Sequence, residues 1–529
     1  MKKNIYYLSI VLGLSVCLPA QARQVNASTD NDLKRVSYEV TNYFDHTSDK
    51  EGKTAANPTS AAKTYYVSAN GKTRADGLSK ESPLKDLQKA IDLAEDGSTI
   101  LVSEGNYLGN MDRGYIECGR FGNGADNGKF LKFYGGYSSD FSERNPLKYI
   151  TKIQPNEKSP RVLGSALFHI TARRAYGDKT PAGEVVVDGF TFDGGELIIY
   201  NKADVKDPRT GTPNTEVLTG MLVHPDGSPI QPSGFSKADW RALHLTVEGK
   251  VRVSNCVFVN CRFFGLQAAM GAGHIEVSNN VFVANRYAAC EVWGTLAAGR
   301  EGEISLDFHH NTVLFTWPIT KEFESMGQGF RFMNGIRTIN VYKNIFGFNS
   351  RCGVERCRYE ARQEYEKLKQ SNLYDNYFIG NKYDLEICTK SNPLNVPASR
   401  IEEAEEIGPK YEGNKEMPLD KRFIGAIDAP YLKGFMSLKI VSSENYDRSS
   451  TANQVNRYLG QNQQATQTTR VTMFANKYPW EKARKLFGAV PGYGAQTPKK
   501  SGDTTLTKKA VQRKLLHCLS FCLRGWVRA

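Results

Sequence analysis

Four basic residues stand just behind an asparagine: Arg262 after Asn260, Arg286 after Asn285, Arg351 after Asn349 and Lys382 after Asn381. Repeated at one point of a repeating unit, they would form a row of positive charge suited to an acidic polymer. The alternative is a solvated turn whose basic side chains pair with Glu291, Glu355 and Glu386 just downstream. The histidines are few. His244, His274, His309 and His310 fall in or beside strand-like segments, and His309-His310 reads either as a turn-surface pair or as part of a metal site. Asp188, Asp193 and Glu196, and the loop Gly119 to Gly128 with Asn123, Asp126 and Asn127, are the acidic candidates for calcium, without the dense carboxylate spacing of a strong site. No CxxC pair and no zinc-like Cys/His spacing occurs.

These residues sit on a degenerate repeat. Val251-Arg-Val-Ser-Asn-Cys256-Val-Phe258 is one copy, and Ile275-Glu-Val-Ser-Asn-Asn280-Val-Phe282 the next. Equivalent positions Cys256, Asn280, Asn311, Asn344 and Asn376 are separated by 24, 31, 33 and 32 residues. Each copy is a short alternating strand, an Asn-centred turn and a second short strand. One coil cannot bury its apolar face alone, whereas stacked coils build a continuous core. The Phe/Val/Ile ladder is therefore core, and the asparagines are expected to bond their neighbours and to accept left-handed backbone at the turn. Cys357 and Cys388 each lie six residues after a basic position, Arg351 and Lys382, and stacked Cα atoms about 4.8 Å apart fall within disulfide range. A bridge and an unbridged thiol stack both fit.

Before the repeat, Tyr65-Tyr66-Val67-Ser68 reads as a strand, Leu84 to Ala94 as an amphipathic helix, and Thr99 to Val102 as a second strand. The stretch 65–107, the segment Phe133-Tyr134-Gly135-Gly136-Tyr137 followed by Phe141 to Pro146, and Phe423-Ile424-Gly425-Ala426-Ile427 as a late-coil signature together resemble the pectin-lyase-like superfamily, in its exported bacterial form. The resemblance implies an all-β, right-handed parallel β-helix with an N-terminal capping helix and a mixed C-terminal cap. It implies binding of an acidic polysaccharide, or its cleavage by β-elimination. Arg286 and Arg351 would then be base candidates, and Arg262, Lys382 and Glu291 substrate contacts. No cofactor is required, although calcium serves some relatives. A non-catalytic cell-surface or adhesion protein of the same fold is the alternative, because this fold hosts many activities.

The termini carry the compartment signals. Lys2-Lys3, an apolar run of about 14 residues and Ala20-Gln21-Ala22 read as a signal peptide, too short to span a bilayer. Export to the periplasm, cell surface or medium is expected, with association to the outer surface or lipidation at Cys17 left open. The expected divisions are a signal peptide at 1–22, a polar leader at 23–62, the β-helix at 63–440 with roughly twelve coils by repeat length, a cap region at 441–497 and a basic tail at 498–529. That tail reads either as a membrane-surface segment or as an unstructured extension.

Apolar residues make up 40% of the 529, a globular composition. The net charge of +13 is misleading. Residues 1–22 hold +2 and residues 498–529 hold +7, which leaves +4 for the body. A body so near neutral does not read as a nucleic-acid binder, and any polyanion signal is local; a monomer is expected. Ten cysteines, nine after removal of Cys17, cannot all pair internally, so mostly buried thiols are expected.

Overall fold

The computed structural model describes residues 61–109, 115–119, 126–156, 166–175, 178, 180–195, 222–223, 229–230, 241–261, 264–294, 303–317, 327–332, 335–356, 371–387, 394–403, 410–436, 450–460 and 477–498. The expected signal peptide and Cys17, nearly all of the leader and the tail, Arg262, Cys357 and Cys388 lie outside these residues.

The chain is a right-handed parallel β-helix, all-β apart from short helices. Three faces repeat along its axis. Sheet one contains Phe168–Ala172, Ala288–Gly294, Gln328–Phe332, Cys352–Arg356 and Tyr383–Ile387. Sheet two contains Thr99–Ser103, Lys132–Tyr137, Glu184–Asp188, Ile304–His309, Thr338–Tyr342 and Ser371–Tyr374. The long strands Arg241–Ser254 and Phe264–Ser278 run through both. Sheet three has nine strands, from Gly105–Leu108 to Lys415–Glu416. Nine coils, about 40 Å of stack by strand spacing, replace the twelve expected from repeat length among the described residues. Among the described residues the strands are spaced too unevenly along the chain for repeat length to count them.

The repeat alignment follows the strand register, with Phe258 opposite Phe282 and Val313 opposite Phe346. Alternate residues point inward, and Phe192, Phe258 and Phe282 stack with ring centroids 4.9 and 4.7 Å apart. Burying one such ring contributes about 1.5–3 kcal/mol.

The asparagines at the turn between sheets two and three form a ladder. Asn280 N–H donates to Asn311 Oδ1 at 3.0 Å, Asn311 to Asn344 at 2.9 Å, and Asn344 to Asn376 at 3.1 Å. The left-handed residue is the one before each asparagine: Asn279, His310, Lys343 and Asp375 all have φ between 51 and 58°. This corrects the expectation that the ladder residue itself takes that conformation. The tight turn needs one residue at positive φ, and the next residue needs a side-chain amide to satisfy its neighbour's backbone. A second ladder, Asn285 and then Asn349 with Asn381, serves the turn from sheet three to sheet one.

Asn344→Ala is expected to lower stability by about 2–3 kcal/mol, because it strands the buried Asn311 N–H and Phe308 carbonyl. Urea unfolding measures the loss, and a change below about 0.5 kcal/mol contradicts the account.

Short helices pack against the first coils and along one side. Leu87–Leu93, capped by Asp86, packs against the first coils as expected. Phe423–Ile427, expected as a late coil, lies instead in and at the end of the helix Lys421–Ala426. Asp420 caps it, accepting from Arg422 N at 2.8 Å and Phe423 N at 3.1 Å. Phe423, Ile424 and Ile427 share one helical face, which buries with Val257, Val281, Leu314 and Ile345 of sheet three. With Ala429–Met436, these helices fall within the 63–440 range expected for the solenoid, and they lie along its side.

The segment Phe133 to Pro146 also has a structural role. Gly136 has φ of 84°, and a Cβ there would meet Pro146 at 2.7 Å. This turn places Arg144 against the Gly135 carbonyl and Asp188.

Candidate functional site

Strand register places one row of polar residues along the outer side of sheet one: Glu117, His169, His244, Gln267, Glu291, Arg331, Glu355 and Glu386. Their neighbours in the strands, such as Leu243, Leu266, Cys290, Phe330, Val354 and Leu385, fill the core. All eight polar residues are buried. A row of charges so buried must be internally matched, since each lone ion costs several kcal/mol.

It is matched. Arg331 donates from Nε to Glu355 Oε1 at 2.8 Å, and from Nη1 to Glu291 Oε2 and Tyr287 Oη, both at 2.9 Å. Gln328 supplies the other Glu355 oxygen at 2.5 Å, and Gln267 the other Glu291 oxygen at 2.6 Å. Arg241 in turn donates to Gln267. One relay therefore runs Arg241, Gln267, Glu291, Arg331, Glu355, Gln328.

The basic residues singled out by the sequence do not make one column. Arg286 bridges to Trp317. Backbone bonds from Ser350 N to Thr316 O and from Lys382 N to Asn349 O put Ser350 and Lys382 in that same row. Arg351 lies one residue further on, in the bend just before the strand Cys352–Arg356, which begins opposite Tyr383. Counting from the asparagine had mixed offsets of one and two.

Arg351 makes two bonds of 2.7 Å to the Glu386 carboxylate. Burial alone would loosen its proton, but the Glu386 carboxylate and these bonds outweigh that and raise its pKa. Arg286 is buried. Burial pushes up the pKa of the Tyr431 phenol in a flanking helix, and the Arg286 cation acts in the opposite direction. Lys382 is half-buried, with its ammonium 5.1 Å from the Tyr383 ring centroid. Glu291 is the substrate-contact candidate that joins the relay.

His169 and His244 meet through their Nδ1 atoms at 3.1 Å, and His169 Nε2 lies 2.9 Å from Thr171 Oγ1. Burial first, then the Arg241 cation, lowers the His169 pKa to about 3 and that of His244 well below its usual value. Both are neutral at physiological pH. Sequence reasoning missed His169 and Arg331 and gave His244 no partner.

Calcium does not fit the Asp188 candidate. Its oxygens take bonds from Arg144, Arg252, Ser254 and Asn255, so an ion would have to displace two guanidinium groups. Asp193 accepts from Gly195 N, Gln154 and Asn260. Asp126 caps the Gly128 backbone. Glu196 and Asn123 lie outside the described residues. Among the described residues no group of three or more His, Cys, Asp or Glu is placed to hold a metal. Cys118, Cys256, Cys290 and Cys352 are free thiols, and they and Cys261 are buried. Burial pushes the thiols of Cys118 and Cys256 up to about 12, which leaves them unreactive. No described helix is long and apolar enough to cross a membrane.

Register and site define the class as a right-handed parallel β-helix whose outer sheet-one face is a closed polar relay. No family model and no curated protein matches the chain. Among solved structures, pectate lyase Pel9A is similar at 12% identity and TM-score 0.25, over 61% of this chain and 71% of that one. XylC in complex with xylose is similar at 11% identity and TM-score 0.30, over 61% of this chain and 63% of that one. The pectin methylesterase from Aspergillus niger is similar at 12% identity and TM-score 0.22, over 69% of this chain and 94% of that one. Values this low say nothing of chemistry, and the fold stands on the strand register.

Proposed function

We propose that the chain is an exported β-helix protein, acting as a monomer at the outer surface, that binds a polysaccharide without cleaving it. The observation that carries this reading is the state of the arginines. β-Elimination from a uronate needs a basic group able to take the C5 proton and free positive charge for the carboxylate. Arg351 is clamped by Glu386 and holds its proton more tightly than usual, and Arg331 is shared between two carboxylates. Neither has charge to spare. A solenoid that presents like residues coil after coil still suits a polymer of repeating units.

Incubation with a panel of uronic-acid polymers, with and without calcium, tests this directly. The expected result is no ultraviolet absorbance from unsaturated products with any polymer, alongside retention on at least one immobilised polysaccharide. A rise in absorbance that disappears in Arg351→Ala would establish the lyase reading instead.

A further inference from the structure

Sheet two presents a different outer face. Asp307, Asn340 and Asn372 stand opposite one another on three successive coils, and beside them stand His309, Tyr342 and Tyr374. All six are half-buried, between core residues such as Leu306, Phe308, Ile339 and Val341. Asn340 Nδ2 donates to Asp307 Oδ1 at 2.7 Å, and Asn372 Nδ2 to Asn340 Oδ1 at 2.9 Å. The rings of His309, Tyr342 and Tyr374 stack face to face, with centroids 4.7 and 5.1 Å apart and planes 16° and 7° from parallel. Rings stacked along the axis turn their edges outward, so the face shows a phenol or imidazole edge and a polar side chain on each coil.

From this geometry we propose that the outer face of sheet two binds an uncharged polysaccharide, laid along the solenoid axis with about one sugar per coil. The proposal rests on the polysaccharide-binding reading above and adds its site and ligand class.

Two features favour an uncharged chain. The first is hydrogen-bonding capacity. Among the described residues neither phenol has a hydrogen-bond partner, and the amides of Asn340 and Asn372 each keep a second N–H. Burial, then Asp307, raises the Tyr342 pKa to about 12, so its O–H stays available to sugar hydroxyls. The second is charge. Glu276 and Asp307 lie in the same row, and the hydrogen bond from His309 holds the Glu276 pKa down to about 2. Of the cations nearby, Arg252 bonds Asp188 at 3.1 Å and Lys250 lies 3.6 Å from Glu184, while the Lys410 ammonium stands 5.8 Å from the Tyr374 ring centroid at one end of the row. Two carboxylates within the row itself disfavour a uronate there and accept hydrogen bonds from sugar hydroxyls. Sheet three cannot serve, because apolar helices cover its outer face.

The test is calorimetric titration of the full chain with soluble β-glucan, xylan and chitin oligosaccharides and with oligogalacturonides. At least one uncharged oligomer is expected to bind. Asn340→Ala and Tyr374→Ala, each shown folded by an unchanged melting temperature, are expected to weaken it about tenfold or more, or roughly 1.4 kcal/mol. Lys421→Ala, on the sheet-three side, is expected to leave it unchanged. Uncharged-oligomer binding that survives both stripe variants overturns the site while leaving the polysaccharide reading intact. Binding of oligogalacturonides alone overturns the ligand class. Binding of none overturns both.

Discussion

Arg331→Ala is expected to cost roughly 3–5 kcal/mol of unfolding free energy, among the largest single losses available to this chain. The guanidinium is buried between two buried carboxylates, at 2.8 Å from Glu355 and 2.9 Å from Glu291. Removing it leaves two carboxylates facing each other with neither water nor a counter-charge from that position. Truncation also opens a cavity against Tyr287. The triad is not stabilising merely because it is buried. Replacing all three members by apolar residues of similar size (Glu291→Leu, Arg331→Met and Glu355→Leu) is expected to recover most of the loss, since the desolvation cost disappears with the charges. Urea unfolding of wild type, single and triple variants measures both effects. A loss below about 1 kcal/mol for Arg331→Ala would mean that water reaches the carboxylates readily.

The second large effect depends on pH. His169 has a folded pKa of about 3 against a usual value of 6.5, and His244 is lowered in the same direction. A depressed folded pKa means that below 6.5 the unfolded chain binds protons that the folded chain refuses. The stability contribution is therefore complete above pH 6.5 and is lost as pH falls toward about 3. The slope is about 1.4 kcal/mol per pH unit for each imidazole. From about pH 7 to about pH 5 the expected loss is about 2 kcal/mol for His169, and His244 adds to it in the same direction. The geometry agrees, because two Nδ1 atoms at 3.1 Å need one donor and one acceptor. Protonating both sets two donors against each other, beside the Arg241 charge. His169→Gln/His244→Gln should flatten this part of the pH profile, whatever it does to stability at neutral pH. Equal pH slopes in the two proteins would assign the acid sensitivity to other groups.

The solenoid was legible because its physics is local and repetitive. Val251, Val253 and Phe258 alternate as a half-buried strand must, and Asn280, Asn311, Asn344 and Asn376 mark the turn in every coil. A pattern imposed by the same contacts in each coil leaves the same residues at matching points. The helix Lys421–Ala426 was misread because five residues with three large apolar side chains suit a strand or a helix turn equally. The Asp420 cap and the sheet-three face that receives Phe423 and Ile427 decided between them.

The candidate site was mostly illegible for a related reason. Successive members of the relay are 24 residues apart from Gln267 to Glu291, 40 from Glu291 to Arg331 and 24 from Arg331 to Glu355. Connections of different length separate them, so no constant spacing marks the row. The sequence did place Glu291, Glu355 and Glu386 downstream of basic residues, and one of the pairings it allowed, Arg351 with Glu386, forms. Arg331 carries no such local sign.

By itself, then, the sequence determined the alternation, the Asn turns and hence the stacked-coil fold, because these depend on neighbours within a coil and on its identical neighbours above and below. Only the tertiary structure decided which charges meet across coils. That depends on register after variable loops, which is what brings Arg351 to the Glu386 carboxylate of the next coil.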